Sequence, residues 1–157
     1  MEGNCSPLIL LSKKKMTDTV TNLFESGFER YQAGEDAESL IPVFQEICDR
    51  SPKMSAAWSS LAWLYLLTER ADLALKAAQK AVKLDANAPQ ARVNLVLAML
   101  ETGKKGVREH IEVAQQMASL DPQVRSDLQE NIQDGFNRKS DWKSLKKVEK
   151  WLFGESE

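Results

Sequence analysis

An all-α fold, built as a solenoid of stacked helical pairs, is predicted from three observations. A step of 34 residues recurs along the chain: Phe24, Trp58 and Arg92 share it, as do Gly27, Leu61 and Leu95, and Tyr31, Tyr65 and Met99. Leu40, Phe44 and Ile47 answer at the same step to Ala74, Ala78 and Ala81. A fixed period of this length belongs to repeated supersecondary units rather than to one irregular core. Apolar residues also recur at helical spacing almost throughout, and strand alternation is nearly absent. Finally, helix-breaking residues fall between the periodic stretches, at Gly34, Pro52, Pro89 and Pro122.

The first helix is expected from about Asp18 to Ala33, with Phe24, Phe28 and Tyr31 on one stripe. Gly34-Glu35-Asp36 is a stop and restart, because glycine ends helices and acidic residues suit the next N-terminus. A second helix runs to Arg50, with Pro42 inside it expected to kink or fray its start. The second pair is the clearest. Trp58, Leu61, Ala62 and Tyr65 lie on its first helix, and Ala74, Ala78 and Ala81 form a small-residue face on its second. Trp58 and Tyr65 are expected in the core.

Pro89 suits the first position of the next helix, which carries Leu95, Val96 and Met99. The turn after it, Thr102 to Gly106, is two residues longer than its counterpart, since Ala78 pairs with Ala114 and Asp85 with Asp121 at a step of 36. Val107 to Leu120 completes the third pair. Leu128, Ile132 and Phe136 then mark a helix over 123–137, and Ser140 is the expected N-cap of a last helix with Trp142, Leu145, Val148 and Leu152.

These residues resemble the tetratricopeptide repeat, most specifically in Trp58-Ser59-Ser60-Leu61-Ala62-Trp63-Leu64-Tyr65, then in Ala74, Ala78, Ala81, Leu95, Gly103 and Ala114. The resemblance implies a right-handed α-solenoid: three repeats over 17–122, C-terminal capping helices with a basic tail over 123–157, and a flexible lead over 1–16. The outer repeats depart from the pattern, with Gly27 and Pro42 in the first and Arg92 and Val96 in the third.

Composition sets the outer limits on function. A chain of 157 residues with 43% apolar content is one domain with an ordinary core. Its apolar runs are too short to span a bilayer, and Leu8-Ile9-Leu10-Leu11, followed rather than preceded by Lys13, Lys14 and Lys15, does not fit a signal peptide. Met16 could serve as an alternative start. Cys5 and Cys48 form no disulfide framework, so a reducing, cytoplasmic setting is expected. A net charge of −2 gives no global attraction to nucleic acid.

No catalytic, cofactor-binding or metal-ligating set emerges. His110 stands alone, Cys48 follows Ile47 in a core-facing stretch, and Gly103 and Gly106 lack the rest of a phosphate-loop fingerprint. The expected role is a non-catalytic protein–protein adaptor or assembly factor, with a permanent structural subunit as the alternative.

In the repeat class that this chain resembles, the first helix of each pair lines a concave groove. That implies groove positions at Glu25 and Glu29, at Ser59, Trp63 and Leu66, and at Val93, Leu97 and Leu100. The chaperone-binding members hold an acidic peptide end with basic groove residues, and Glu25, Glu29, Ser59 and Trp63 offer nothing basic at those places. A partner helix or peptide with an apolar face is the better match. The last helix could cap the stack, fill the groove or stay free.

Charge is unevenly placed. Eight acids between Thr17 and Asp49 face one base, Arg30, whereas Arg138 to Lys150 holds six bases against Asp141 and Glu149. Trp142, Lys143, Lys146, Lys147, Lys150 and Trp151 therefore form a second candidate contact, for an acidic protein or a membrane surface. Self-association between acidic and basic ends is a further alternative.

Overall fold

The computed structural model describes the backbone of residues 8–154 and the side chains of residues 19–154. Among these residues it contains helices and no strand: α1 (Leu8–Gln32), α2 (Ala37–Arg50), α3 (Ser55–Leu67), α4 (Ala71–Leu84), α5 (Pro89–Thr102), α6 (Val107–Leu120), α7 (Pro122–Arg138) and α8 (Lys143–Phe153). Each helix packs against the next, and α3 also meets α5, which is the arrangement of antiparallel pairs stacked side by side.

Helix ends follow the local chemistry. Pro89 and Pro122 occupy first-turn positions where a missing N–H costs nothing, and the Asp121 carboxylate accepts from the Gln123 backbone N–H at 2.9 Å. The long turn after α5 is taken up by Gly103 at φ 74° and Gly106 at φ 95°, both left-handed. α2 continues from Ala37 to Arg50 across Pro42 without a break. α1 begins at Leu8, ahead of the predicted start near Asp18, so residues 8–16 of the expected lead carry on its backbone; residues 1–7 lie outside the described residues.

The small-residue face of α4 brings its neighbours close, with Ala74, Ala78 and Ala81 fully buried. Gly27 has a specific reason to lack a side chain. A Cβ there would stand 2.9 Å from Phe44 Cε2, so the Phe44 ring fills the volume that a large aliphatic residue occupies in other repeats. Phe24 packs edge-on against that ring at 5.7 Å.

The expected core assignment of the tryptophans is half reversed. Tyr65 is buried, but Trp58 is only partly so and spends its indole N–H on Pro52 O at 2.9 Å. Trp63, expected on the open face, is 9% exposed. Cys48 is buried, and burial together with neighbouring Asp49 pushes its thiol up to about 12. No described helix is long and apolar enough to cross a membrane.

Candidate functional site: a concave cleft narrowed by the C-terminal helices

The inner faces of α1, α3 and α5 form the concave side. α7 and α8 pack against α5 and α6 at the end of the stack and reach across this side to Tyr31 of α1 and Trp63 of α3. Leu128 and Ile132 on α7, and Leu145, Val148 and Leu152 on α8, are buried in the same core as Leu66, Val93 and Leu97. The Trp142 ring, 2% exposed, lies 5.3 Å from the Trp63 ring at 46°. Its N–H donates to the Glu101 carboxylate at the end of α5.

Gly135 makes this approach feasible. A Cβ on it would come within 2.7 Å of Leu145 Cδ2 and 3.0 Å of the Trp63 ring, so only glycine lets α7 settle against both.

Polar contacts lock α7 to the first helix. The Tyr31 hydroxyl donates to Asp134 and accepts the Trp63 indole N–H at 2.7 Å. Burial first, and the Asp134 bond second, raise the Tyr31 hydroxyl above its ordinary range, so it remains a donor. Arg138 stacks on the Tyr31 ring at 3.7 Å and donates to the backbone oxygens of Tyr31 and Glu35 at the C-terminal end of α1, where Tyr31 O also accepts from the Gly34 N–H at 3.0 Å. Lys139 donates to Leu66 O at 3.0 Å and pairs with Glu69 at 2.9 Å.

Several expected groove residues are therefore corrected. Trp63, Leu66, Val93 and Leu97 are core, and the C-terminal segment covers Trp63 through Trp142 and Gly135 and meets Leu66 O through Lys139. Ser59 is buried and bonded to Asn94, and Leu100 is half-buried. Glu25 and Glu29 remain exposed on α1. The end helices both follow the stack and fill its hollow. In the tail, Trp142 is interior and Trp151 half-buried, whereas Lys143, Lys146, Lys147 and Lys150 face outward. A membrane contact that used both the tryptophans and the lysines of α8 would need Trp142 to leave the core.

What stays open is a cavity of about 120 Å³ between α1, α3, α5 and α7. Phe28, Tyr31, Phe44, Trp63 and Leu64 supply its apolar lining. Phe28 is 49% exposed, which is unusual for a ring on an inner face. One wall is an amide relay: Asn131 donates to Gln90, Gln90 to Asn94, and Asn94 to the Ser59 backbone oxygen, at 2.7–2.9 Å. A volume of this order accepts one ring-sized or branched side chain.

Sequence reasoning did not find Asn131, Asp134 and Gly135 on the capping helix, and it read Arg138 only as the first base of the tail. Gly135 was the available signal, since glycine inside a helix costs about 1 kcal/mol relative to alanine and implies a close approach.

No group of three or more His, Cys, Asp or Glu side chains suited to a metal occurs among the described residues. His110 meets Arg92 at 2.7 Å, and burial, then Arg92, lower its affinity for a proton.

Comparison with known proteins places this geometry. The family model described as Coatomer epsilon subunit matches residues 12–140. No curated protein matches the chain. Among solved structures, PcrH of Pseudomonas aeruginosa in complex with the chaperone-binding region of PopD superposes with a TM-score of 0.63 at 18% identity, covering 85% of this chain and 95% of that one. The Yersinia enterocolitica type III secretion translocator chaperone SycD gives 0.62 at 19%, covering 84% and 92%. The first tetratricopeptide domain of Spaghetti (RPAP3), bound to an HSP90 peptide, gives 0.51 at 14%, covering 84% and 89%. At these identities the likeness establishes the fold, which is of the tetratricopeptide type.

Proposed function

Because the chain belongs to the coatomer epsilon subunit family, we propose that it is a non-catalytic protein-binding subunit of a larger assembly. A segment of a partner is held at the concave side, in the cleft that α7 leaves beside α1. The observation that carries this is Phe28, a half-exposed ring at the mouth of an apolar cavity that the protein's own helices leave unfilled.

Two further points support the reading. The family is described as a subunit, and solved proteins of the same fold are seen with partner segments: PcrH with a region of PopD, SycD with a YopD peptide, RPAP3 with an HSP90 peptide. The cleft is also much smaller than the full groove expected from the repeats. One anchoring side chain, rather than a whole helix face, is what it would take. The buried free thiol fits a cytoplasmic setting.

The test is affinity capture with full-length protein and two variants of confirmed fold. Ser60→Trp fills the cavity, and Leu120→Arg alters a residue 77% exposed at the end of α6, away from the cleft. Loss of the captured partner with Ser60→Trp alone is expected. Capture that survives Ser60→Trp would put the contact elsewhere.

A further inference from the structure

We propose that the segment accepted by this cleft, in a separate partner chain, carries a bulky apolar residue flanked by lysine or arginine. The inference rests on the cleft being the binding site, as above, and adds the chemistry of what binds.

The charges around the mouth are one-sided. Exposed Glu25 and Glu29 lie on α1 on either side of Phe28 in sequence, with Glu25 one turn earlier on the same face. Across the opening, α7 carries Asp127, Glu130 and Asp134, and Asp127, Asn131 and Asp134 share one helix face at i, i+4 and i+7. None of the residues lining the cavity is basic.

The nearby cations are already engaged. Arg30 holds Glu35 through two hydrogen bonds of 2.5–2.7 Å. Arg138 lies 3.8 Å from Asp134 but commits its donors to the backbone oxygens of Tyr31 and Glu35. Arg125 covers the Phe153 ring at 4.8 Å, at the α8 side of α7. Part of the Asp134 charge is thus offset by Arg138, while Glu25, Glu29 and Glu130 form no ion pair among the described residues.

Hydrogen-bond capacity has the same bias. The amide relay spends donors of Asn131, Gln90 and Asn94 inside the wall. Carboxylate oxygens dominate what the rim offers, so an incoming group should be a donor and preferably a cation. An acidic or phosphorylated segment would meet like charge at close range, a combination that costs affinity and slows encounter.

The experiment selects random dodecapeptides displayed on phage against immobilised full-length protein, then measures enriched peptides in solution against wild type, Ser60→Trp and the paired variant Glu25→Lys/Glu130→Lys. Expected are peptides with one Leu, Ile, Met or Phe within two positions of Lys or Arg, lost with Ser60→Trp and weakened about tenfold by the charge reversals. Their affinity should also fall as salt is raised from about 50 to 500 mM, because the charges are at the surface.

Peptides lost with Ser60→Trp but indifferent to charge would leave the cleft standing as the site and overturn the basic requirement. Peptides that bind Ser60→Trp unchanged, or no enrichment at all, would overturn both. The run Leu8 to Lys15 of this chain is itself apolar then basic. Reversible dimers of the full chain that dissociate when Lys13, Lys14 and Lys15 are changed to Glu would overturn the separate partner in favour of a second copy.

Discussion

Trp63 and Trp142 form a tilted pair, with ring centroids 5.3 Å apart, that joins the middle repeat to the start of the last helix. One indole N–H is taken by Tyr31 of α1 and the other by Glu101 of α5, so the pair ties α1, α3, α5 and α8 at one point.

Replacing Trp142 with alanine should cost about 3–5 kcal/mol, the range for a large aromatic lost from a core. Guanidinium unfolding gives the value, and with Trp58 and Trp151 changed to Phe a red-shifted Trp63 emission in the folded variant would report its exposure. Trp63→Ala combined with Trp142→Ala should cost less than the sum of the single changes by at least about 0.5 kcal/mol, since the two rings share a contact.

Gly135→Leu is expected to be worse than its gain in helix propensity suggests. The added side chain enters space held by Leu145 and Trp63, and overpacking of this kind costs about 1–3 kcal/mol. Limited proteolysis should show faster cleavage in the turns flanking α7, with the three stacked pairs surviving as the larger fragment. Equal cleavage rates in both proteins would show that α7 can shift without leaving the groove.

These two residues also show what a sequence can and cannot disclose. The 34-residue step identified the stacked pairs because it is written in local spacing, and it placed Tyr65, Ala74, Ala78 and Leu61 correctly in the core. It could not place Trp63. Whether that ring is wet or dry depends on a helix more than sixty residues later, and no period within the repeats records that contact. Trp58 was misjudged for the complementary reason: its stripe is shared between repeats, but it sits at an outer edge beside Pro52 and Leu73. The lysines of α8 were legible as solvent-facing because the opposite face of the same helix was so plainly apolar.

Glu35 supplies a pH-dependent contribution. Arg30, and then Ser39, hold its carboxyl down at about 2, against an ordinary 4.5. A folded-state value below the unfolded one means that this contribution is present above about pH 4.5 and is lost as pH falls toward 2. Urea midpoints measured across that window should fall more steeply for wild type than for Glu35→Gln. Parallel slopes would show that the Arg30 contact adds nothing to stability.

Cys48 should behave as an inert core thiol. With Cys5→Ser to remove the other sulfur, native protein at pH 8 should react with a disulfide reagent only as fast as it unfolds, because burial pushes the thiol up to about 12. Rapid labelling without denaturant would mean that α2 opens locally.

Glu69 is the one described non-glycine residue with positive φ, at 63°. Asparagine tolerates that conformation better, which favours Glu69→Asn by up to about 1 kcal/mol, while the lost Lys139 contact is a surface ion pair worth about 0–1 kcal/mol. A thermal midpoint equal to or slightly above wild type is expected. A clear drop would show that Lys139 depends on Glu69 to hold Leu66 O.

The bond from Tyr31 to Asp134 spans 103 residues of chain. At a ribosomal rate of about 5–20 residues per second, α1 waits about 5–20 s for its counterpart to be made. By the end of that interval the inner faces of the first three pairs have been synthesised but not yet covered. The nascent chain therefore carries an aggregation-prone apolar face until α7 has been made.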